Sequence, residues 1–416
     1  MTVGLARTTS PTAPPVAAPA RQASRTLSRF DPRRLATLLH RYVGLALAGF
    51  LILSGLTGSV LVFQREIDAW LNPQLWAVTA EGPALSASEI AARVEAHDPR
   101  VRARWIPLEP DEGLDVWVDP KIDPATGAPY AIGYNQMFVD PVTGEINGTR
   151  RYGPPTLNRE ELIPFIDLFH RTLSIPGLWG TWLMGGIALI WLFDCFVGAY
   201  LTLPRGAKGP RAFLSKWKTA WTLKPRASST RRNLDLHRAG GLWLWGVLAT
   251  LAASGVALNL EHEIFEPVVG VFSPISENEF EHQPMDFANP IPPAFGFDEA
   301  IVRARDLAAI PADQRVSGIY YAAEIGGYGV AFGEPYEAGL GITWAYVGND
   351  GSLIELTRPG VGTAGDIVAQ AQLPLHSGQI LGLPTRILIC IAGLATAGLS
   401  ITGVIIWARK RAARRR

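Results

Sequence analysis

Four stretches of the chain are almost free of charge: residues 42–63, 178–203 interrupted by Asp194, 239–260, and 387–408. A helix of about 22 residues rises roughly 33 Å, enough to cross a hydrocarbon core of about 30 Å, so all four are predicted as spanning helices. Between them the hydrophobic period changes. After the first run, "LSASEIAARVEAHDP" repeats apolar residues at helical spacing, with Ser86 as N-cap and Glu89 completing a capping box. "GLDVWVDP" and "YNQMFVDPVTGEING" then alternate as strands do, the second folding back at the turn 140–144. The same order recurs after the third run. "GFDEAIVRARDLAAIP" predicts a helix, and "VSGIYYAAEIGGYGVAFG" and "GITWAYVGNDGSLIEL" predict strands with a turn at residues 349–351. Each interval is expected to form a small α+β module.

An internal repeat accounts for this recurrence. A shift of 197 residues lays Leu39, His40 and Arg41 on Leu236, His237 and Arg238, and "QREI" at 64–67 on "EHEI" at 261–264. A weaker match sets "IDLFHRTLSIPGLWG" against "AQLPLHSGQILGLPTR", with His170 opposite His376. Each copy reads as span, external module, span. Copies that enter and leave on the same side are parallel repeats, which pack about a pseudo-twofold axis along the membrane normal. The expected fold is a membrane α-helical bundle of four transmembrane helices carrying two α+β domains. Its expected boundaries are a basic tail 1–34, helix 35–67, first module 68–169, helix 170–203, basic loop 204–232, helix 233–262, second module 263–375, helix 376–410 and basic tail 411–416.

Composition agrees, with 48% hydrophobic and 18% charged residues, a balance high in apolar content for a soluble chain. Charge sets the orientation. Residues 204–238 hold ten Lys and Arg against the single acid Asp235, the chain closes on "ARKRAARRR", and Arg21, Arg25, Arg29, Arg33, Arg34 and Arg41 precede or open the first span. By the positive-inside rule both termini and the middle loop are cytoplasmic, and the modules lie outside. The Pro-, Ala- and Ser-rich start is expected to be a disordered tail rather than a cleaved signal. Cys195 and Cys390 differ in predicted depth by roughly 20 Å, which excludes a disulfide. No C-x-x-C-H motif or cysteine cluster points to covalent haem or an iron–sulfur site.

Symmetry turns four of the seven histidines into two pairs, His40 with His237 at the inner face and His170 with His376 at the outer. Facing neutral imidazoles in a helix bundle suit six-coordinate haem iron; zinc or copper is the next contender, although no carboxylate is expected beside either pair. Isolated histidines at this depth would instead be polar caps at the headgroup level. Arg41, Arg238 and Arg171 follow three of these histidines and could pair with haem propionates; lipid phosphate accounts equally well for Arg41 and Arg238. Glycines such as Gly44, Gly55, Gly58, Gly240 and Gly255 allow close helix packing or clear space for a flat ligand. Asp194, the acid inside a span, is read as a proton relay or as a hydrogen bond to a neighbouring helix.

The pattern "LHRYVGL" with its downstream Ser-Gly and Thr-Gly pairs, the strand and turn "VDPVTGEI", the "LH" of the last span, and Gly403, Val404, Trp407 and Arg409 near the end resemble the PepSY-associated transmembrane family over residues 35–410. That resemblance implies PepSY-like periplasmic modules, a bacterial inner-membrane location, b-type haem held by His40, His170, His237 and His376, and electron delivery to ferric siderophores. Two pairs imply two haems. His262, whose repeat partner is Arg65, is a further candidate outer ligand or substrate contact. No G-x-G-x-x-G follows a strand here, so electrons are expected from a cytoplasmic reductase or membrane quinol, and the partners are the bilayer and a ferric siderophore, with no nucleic acid. The rival reading is a non-enzymatic anchored module that binds or restrains an extracytoplasmic partner. On topology, a reporter fused after Arg416 or inserted near Arg226 is expected to read cytoplasm, and one near Asp123 or Asp313 periplasm. The reverse pattern would invert the assignment of inner and outer faces.

Overall fold

The computed structural model describes residues 31–109, 111–287 and 289–415. Most of the basic tail 1–34, including Arg21, Arg25 and Arg29, lies outside the described residues. The first half of the chain runs α1 (Pro32–Leu61), α2 (Gln64–Leu71), α3 (Ala87–His97), β1 (Val101–Pro107), β2 (Leu114–Pro120), β3 (Gln136–Val139), β4 (Ile146–Arg150), α4 (Leu162–Thr172) and α5 (Leu178–Thr202). The second runs α6 (Pro210–Lys218), α7 (Ser229–Trp243), α8 (Trp245–Asn259), α9 (Glu266–Gly270), α10 (Phe297–Leu307), β5 (Val316–Ala322), β6 (Gly327–Phe332), β7 (Thr343–Gly348), β8 (Leu353–Thr357), α11 (Ala364–Gln370), α12 (Gln372–Ser377) and α13 (Leu383–Arg415).

Helices α1, α5 and α13 are each long and apolar enough to cross a membrane, and α7 with α8 forms a fourth candidate bent by 67°. The bend corrects the straight third span expected over 233–262. It falls at Leu244, just after the Gly240–Gly241 pair, where backbone restraint is weakest. Two indoles hold it: Trp243 Nε1 donates to Trp221 O and Trp245 Nε1 to Cys195 O, both at 3.1 Å. The histidines expected to open the second and fourth spans sit on separate short helices instead. His170 lies near the end of α4, which Leu173 and Ser174 terminate in left-handed conformation at φ 54° and 56°. His376 lies on α12, which stops at Gly378 with φ 83°, where a Cβ would press on the backbone of Thr385 and Arg386.

Packing crosses between the two halves. α1 lies along α13 and α5 along α8. Gly55 and Gly393 face each other so closely that a Cβ on either would strike the opposite helix, and Ser59 Oγ, bonded to Gly55 O at 2.7 Å, also reaches Cys390 O at 2.9 Å. Small residues let these backbones approach where lipid offers no hydrophobic drive.

Both strand regions join one antiparallel sheet of order β4-β3-β2-β1-β5-β6-β7-β8, so the two expected modules share a sheet. The junction pairs Trp105 with Tyr320, Ile106 with Ile319 and Pro107 with Gly318. Gly318 is required there because the Trp105 ring lies against its α-carbon. Helices α3 and α10 cover one face over a core including Ile90, Val94, Val116, Ile319, Tyr328 and Val330. The capping box at Ser86 and Glu89 forms as its sequence requires. So does the turn after β3, where Asp140 accepts the amides of Val142 and Thr143 and Gly144 takes φ 72°. Burial acts to raise the Asp140 carboxyl, but the hydroxyl and amide of Thr79 and these turn amides outweigh it and hold it at about 2.

A buried ion pair fastens the sheet to the spans. Arg150 on β4 donates to Asp68 on α2 at 2.7 Å and to Gln136 Oε1 at 2.8 Å, with its guanidinium over the Phe138 ring. Asp68 also accepts from Asn72 Nδ2 at 2.9 Å and Trp76 Nε1 at 3.2 Å. Arg150→Met is expected to lose about 3–5 kcal/mol by stranding the Asp68 carboxylate, read as a lower melting temperature in detergent. Adding Asp68→Asn should recover part of the loss, and an additive further loss would show that the two side chains are not coupled.

Candidate functional site

The four repeat-related histidines meet as two pairs. The rings of His40 on α1 and His237 on α7 have centroids 6.0 Å apart and planes tilted by 54°. Those of His170 on α4 and His376 on α12 lie 6.2 Å apart, tilted by 58°. An imidazole nitrogen binds a first-row metal at about 2.0–2.1 Å and lies roughly 1.1 Å from its ring centre, so two imidazoles trans on one ion place their centroids about 6.3 Å apart. Both pairs match that spacing.

Hydrogen bonds fix which nitrogen faces inward. His170 Nδ1 lies 2.9 Å from Thr57 Oγ1, and His376 Nδ1 lies 2.9 Å from Ser254 Oγ. Each hydroxyl spends its own proton on a helix carbonyl, Leu53 O or Thr250 O at 2.8 Å, and therefore accepts from the ring. His237 Nδ1 donates to Leu399 O at 3.0 Å and to Thr402 Oγ1 at 3.1 Å, and His40 Nδ1 to both Asp194 oxygens at 3.0 Å. A carbonyl and a carboxylate can only accept, so all four rings carry hydrogen on Nδ1. Their Nε2 lone pairs have no protein partner among the described residues. This is how metal-bound imidazoles are held, with the outer nitrogen oriented by a second group.

Glycine makes room for three of the rings and lies at ordinary contact distance from the fourth. A Cβ on Gly58 would stand 3.0 Å from His170 Cε1, on Gly198 3.3 Å from His40 Cε1, on Gly403 3.2 Å from His237 Cε1 and on Gly255 3.8 Å from His376 Cε1. Thr57 lies 17 residues beyond His40 on α1, so the two pairs stand roughly 25 Å apart along the bundle.

Residues 37–410 match the family model of the PepSY-associated TM region. The chain belongs to that family. No curated protein matches it. With several apolar helices of spanning length, this member of the PepSY-associated TM family is a membrane protein.

The donor set discriminates between metals. No group of three or more His, Cys, Asp or Glu is placed to hold an ion among the described residues, so a bare zinc or copper ion would find two protein ligands at either pair. A porphyrin brings the other four ligands itself, and the paired imidazoles, their fixed tautomer and the glycine clearances fit b-type haem.

The other predicted residues divide. Arg238 is held by Asp235 at 2.9 Å and Thr219 O at 2.8 Å, yet its Nε is buried without a partner, leaving a donor for a carboxylate beside His237. Arg41 is partly buried and has no hydrogen bond or ion pair among the described residues. Arg171 is committed to Asp167 on its own helix at 2.6 Å and is more than half exposed. His262, in a π-helical turn after α8, bonds Glu266 at 2.8 Å, is 77% exposed and touches neither His170 nor His376. Its repeat partner Arg65 instead binds Glu112 and Tyr336. The sequence alone placed no carboxylate beside either pair; the fold puts Asp194 there, hydrogen-bonded across helices as one of its two readings proposed. The supporting hydroxyls went unnoticed in the sequence, although the 197-residue shift lays Thr57 on Ser254 and Gly58 on Gly255.

Proposed function

We propose that the protein is a di-haem oxidoreductase of the bacterial inner membrane that passes electrons across the bundle and reduces a ferric siderophore beside the sheet, releasing Fe(II). The observation that carries this reading is the set of four imidazoles, each with Nδ1 on a protein partner, paired at the centroid spacing of trans metal ligands. In this reading the chain is two parallel repeats about a pseudo-twofold axis. Its termini and basic loop lie in the cytoplasm and its sheet, formed from two PepSY-like modules, in the periplasm.

Haem bound at each pair would supply reversible one-electron chemistry. The chain's own groups do the rest. His40 and His237 would hold the inner group and His170 and His376 the outer. Arg238 Nε, and Arg41 beside His40, would meet propionates at the basic end. The donor is a cytoplasmic reductase or a membrane quinol, and one electron converts the chelated Fe(III) to Fe(II), which hard oxygen ligands hold less tightly. A bulky chelate cannot enter helices packed as closely as α1 and α13 at Gly55 and Gly393, so it must meet the electron at the outer pair. A purely anchoring module would have no use for four imidazoles oriented in pairs between its helices.

Detergent-purified protein is expected to show a Soret band, α and β bands that sharpen on dithionite reduction, and about two haems per chain. His376→Ala should keep the inner spectrum and lose rapid oxidation by a ferric hydroxamate in stopped flow. A colourless preparation from haem-replete cells would favour the anchor reading, and wild-type oxidation of His376→Ala would remove the outer pair as the exit.

A further inference from the structure

The two pairs differ in the groups behind their imidazoles. Thr57 and Ser254 give the outer rings neutral hydroxyl acceptors. At the inner pair His237 has a neutral carbonyl and hydroxyl, but His40 has the carboxylate of Asp194, whose side chain is 12% exposed. A shift of 205 residues lays α5 on α13, Gly198 on Gly403 and Asp194 on Leu399. The equivalent places therefore supply the same hydrogen bond, charged on one side and uncharged on the other.

Asp194 has no Lys or Arg partner among the described residues. Asp235, another acid at this end, is bracketed by Arg231 at 3.0 Å and Arg238 at 2.9 Å, Asp31 caps the amides that open α1, and Asp167 near the outer pair is held by Arg171. An unpaired carboxylate inside a span costs several kcal/mol unless a positive charge stands nearby. The free side of the His40 ring, at Nε2, is where such a charge would sit.

We infer that Asp194 is a positioning residue that biases electrons from the inner bis-histidine site toward the outer one, an inference that rests on the haem reading above. The carboxylate makes the His40 imidazole a stronger donor. It also stands about 7 Å from an ion at Nε2, where two unit charges at an effective dielectric near 20 still change an equilibrium constant more than tenfold. Both effects favour the ferric over the ferrous state at the inner site. The charge nearest the outer rings, Asp167, is held by Arg171 on its own helix. One electron delivered at the basic end by a reductase or quinol, oxidising that donor by one equivalent, is then favoured to leave the inner site and reduce the outer, and from there an Fe(III) chelate.

Redox titration of the purified holoprotein, followed in the α band, tests this. The wave that His376→Ala removes is assigned to the outer site. Wild type should titrate in two waves with the inner one lower, and Asp194→Asn, which keeps an acceptor oxygen for Nδ1, should raise the inner wave by a tenfold change in equilibrium constant, about 59 mV for one electron, leaving the outer wave in place. A wild-type inner wave above the outer, or an inner wave unmoved by Asp194→Asn in protein that holds two haems, overturns the inference and leaves the haem reading intact. Wild-type protein without haem overturns the reading itself. If Asp194→Asn fails to hold the inner group, Asp194→Glu keeps the charge and is titrated instead: an inner wave near the wild-type position supports a charge effect, and one raised tenfold overturns it.

Discussion

An imidazole packed between helices needs a partner for each nitrogen that water does not reach. That constraint organises the bundle. Each Nδ1–H finds its acceptor on another helix: His40 on α5, His237 on α13, His170 on α1 and His376 on α8. These four bonds join α1 to α5, α7 to α13, α4 to α1 and α12 to α8. Three ring edges then need clearance from those same helices, which is why Gly198, Gly403 and Gly58 stand where they do. With the Nδ1 side closed, the Nε2 atoms are the positions left for a ligand.

The halves of the chain depend on each other at both levels. In the membrane α1 packs on α13 and α5 on α8, so the main contact of each long span is with the opposite half. Beside the bundle, β1 and β5 pair at the centre of one sheet, and α3 and α10 cover a core drawn from both halves. Either half alone would expose a strand edge at the middle of its own core. The Asp68–Arg150 pair and the bonds from Arg386 to Val62 O and Glu66 carry the registry of the spans into the sheet. The separation of the imidazole pairs from the sheet is thus set by buried charge as well as by helix length.

Much of this was legible where the signal is local. Long uncharged runs marked the spans, the Ser86 capping box and the turn at Asp140 formed as read, and the repeat matched histidines that the fold does bring together. What escaped depends on partners distant in sequence or on competing patterns. β1 escaped because the alternation of Arg102 and Arg104 with Val101 and Ala103 is short and a bulge breaks its period before Trp105. Nothing in the hydropathy of residues 233–262 marks the bend at Leu244, since the indoles that hold it bond to residues on other elements. Asp194 lies 154 residues from His40, beyond any local rule. Arg171 and His262 are different, because Asp167 and Glu266 stand four residues away on the same helical turn and already announced that both side chains had partners.

The repeat shows which features a ring requires and which are free to vary. Thr57 and Ser254 differ by a methyl group yet supply the same acceptor, whereas Gly58 stands closer to its ring than Gly255 does. Arg65 and His262, at equivalent places past the ends of α1 and α8, do unrelated work, one tied to Glu112 and Tyr336 and the other exposed beside Glu266. Asp194 and Leu399 fall between these cases. The hydrogen bond to the ring is retained, but a backbone carbonyl can serve in place of a side chain because an sp² oxygen has two lone pairs, and Leu399 O accepts from both Thr402 Oγ1 and His237. Since geometry alone is met by the carbonyl, the carboxylate on the other side is not explained by geometry. What it adds is a negative charge at one end of an otherwise neutral row of imidazole partners.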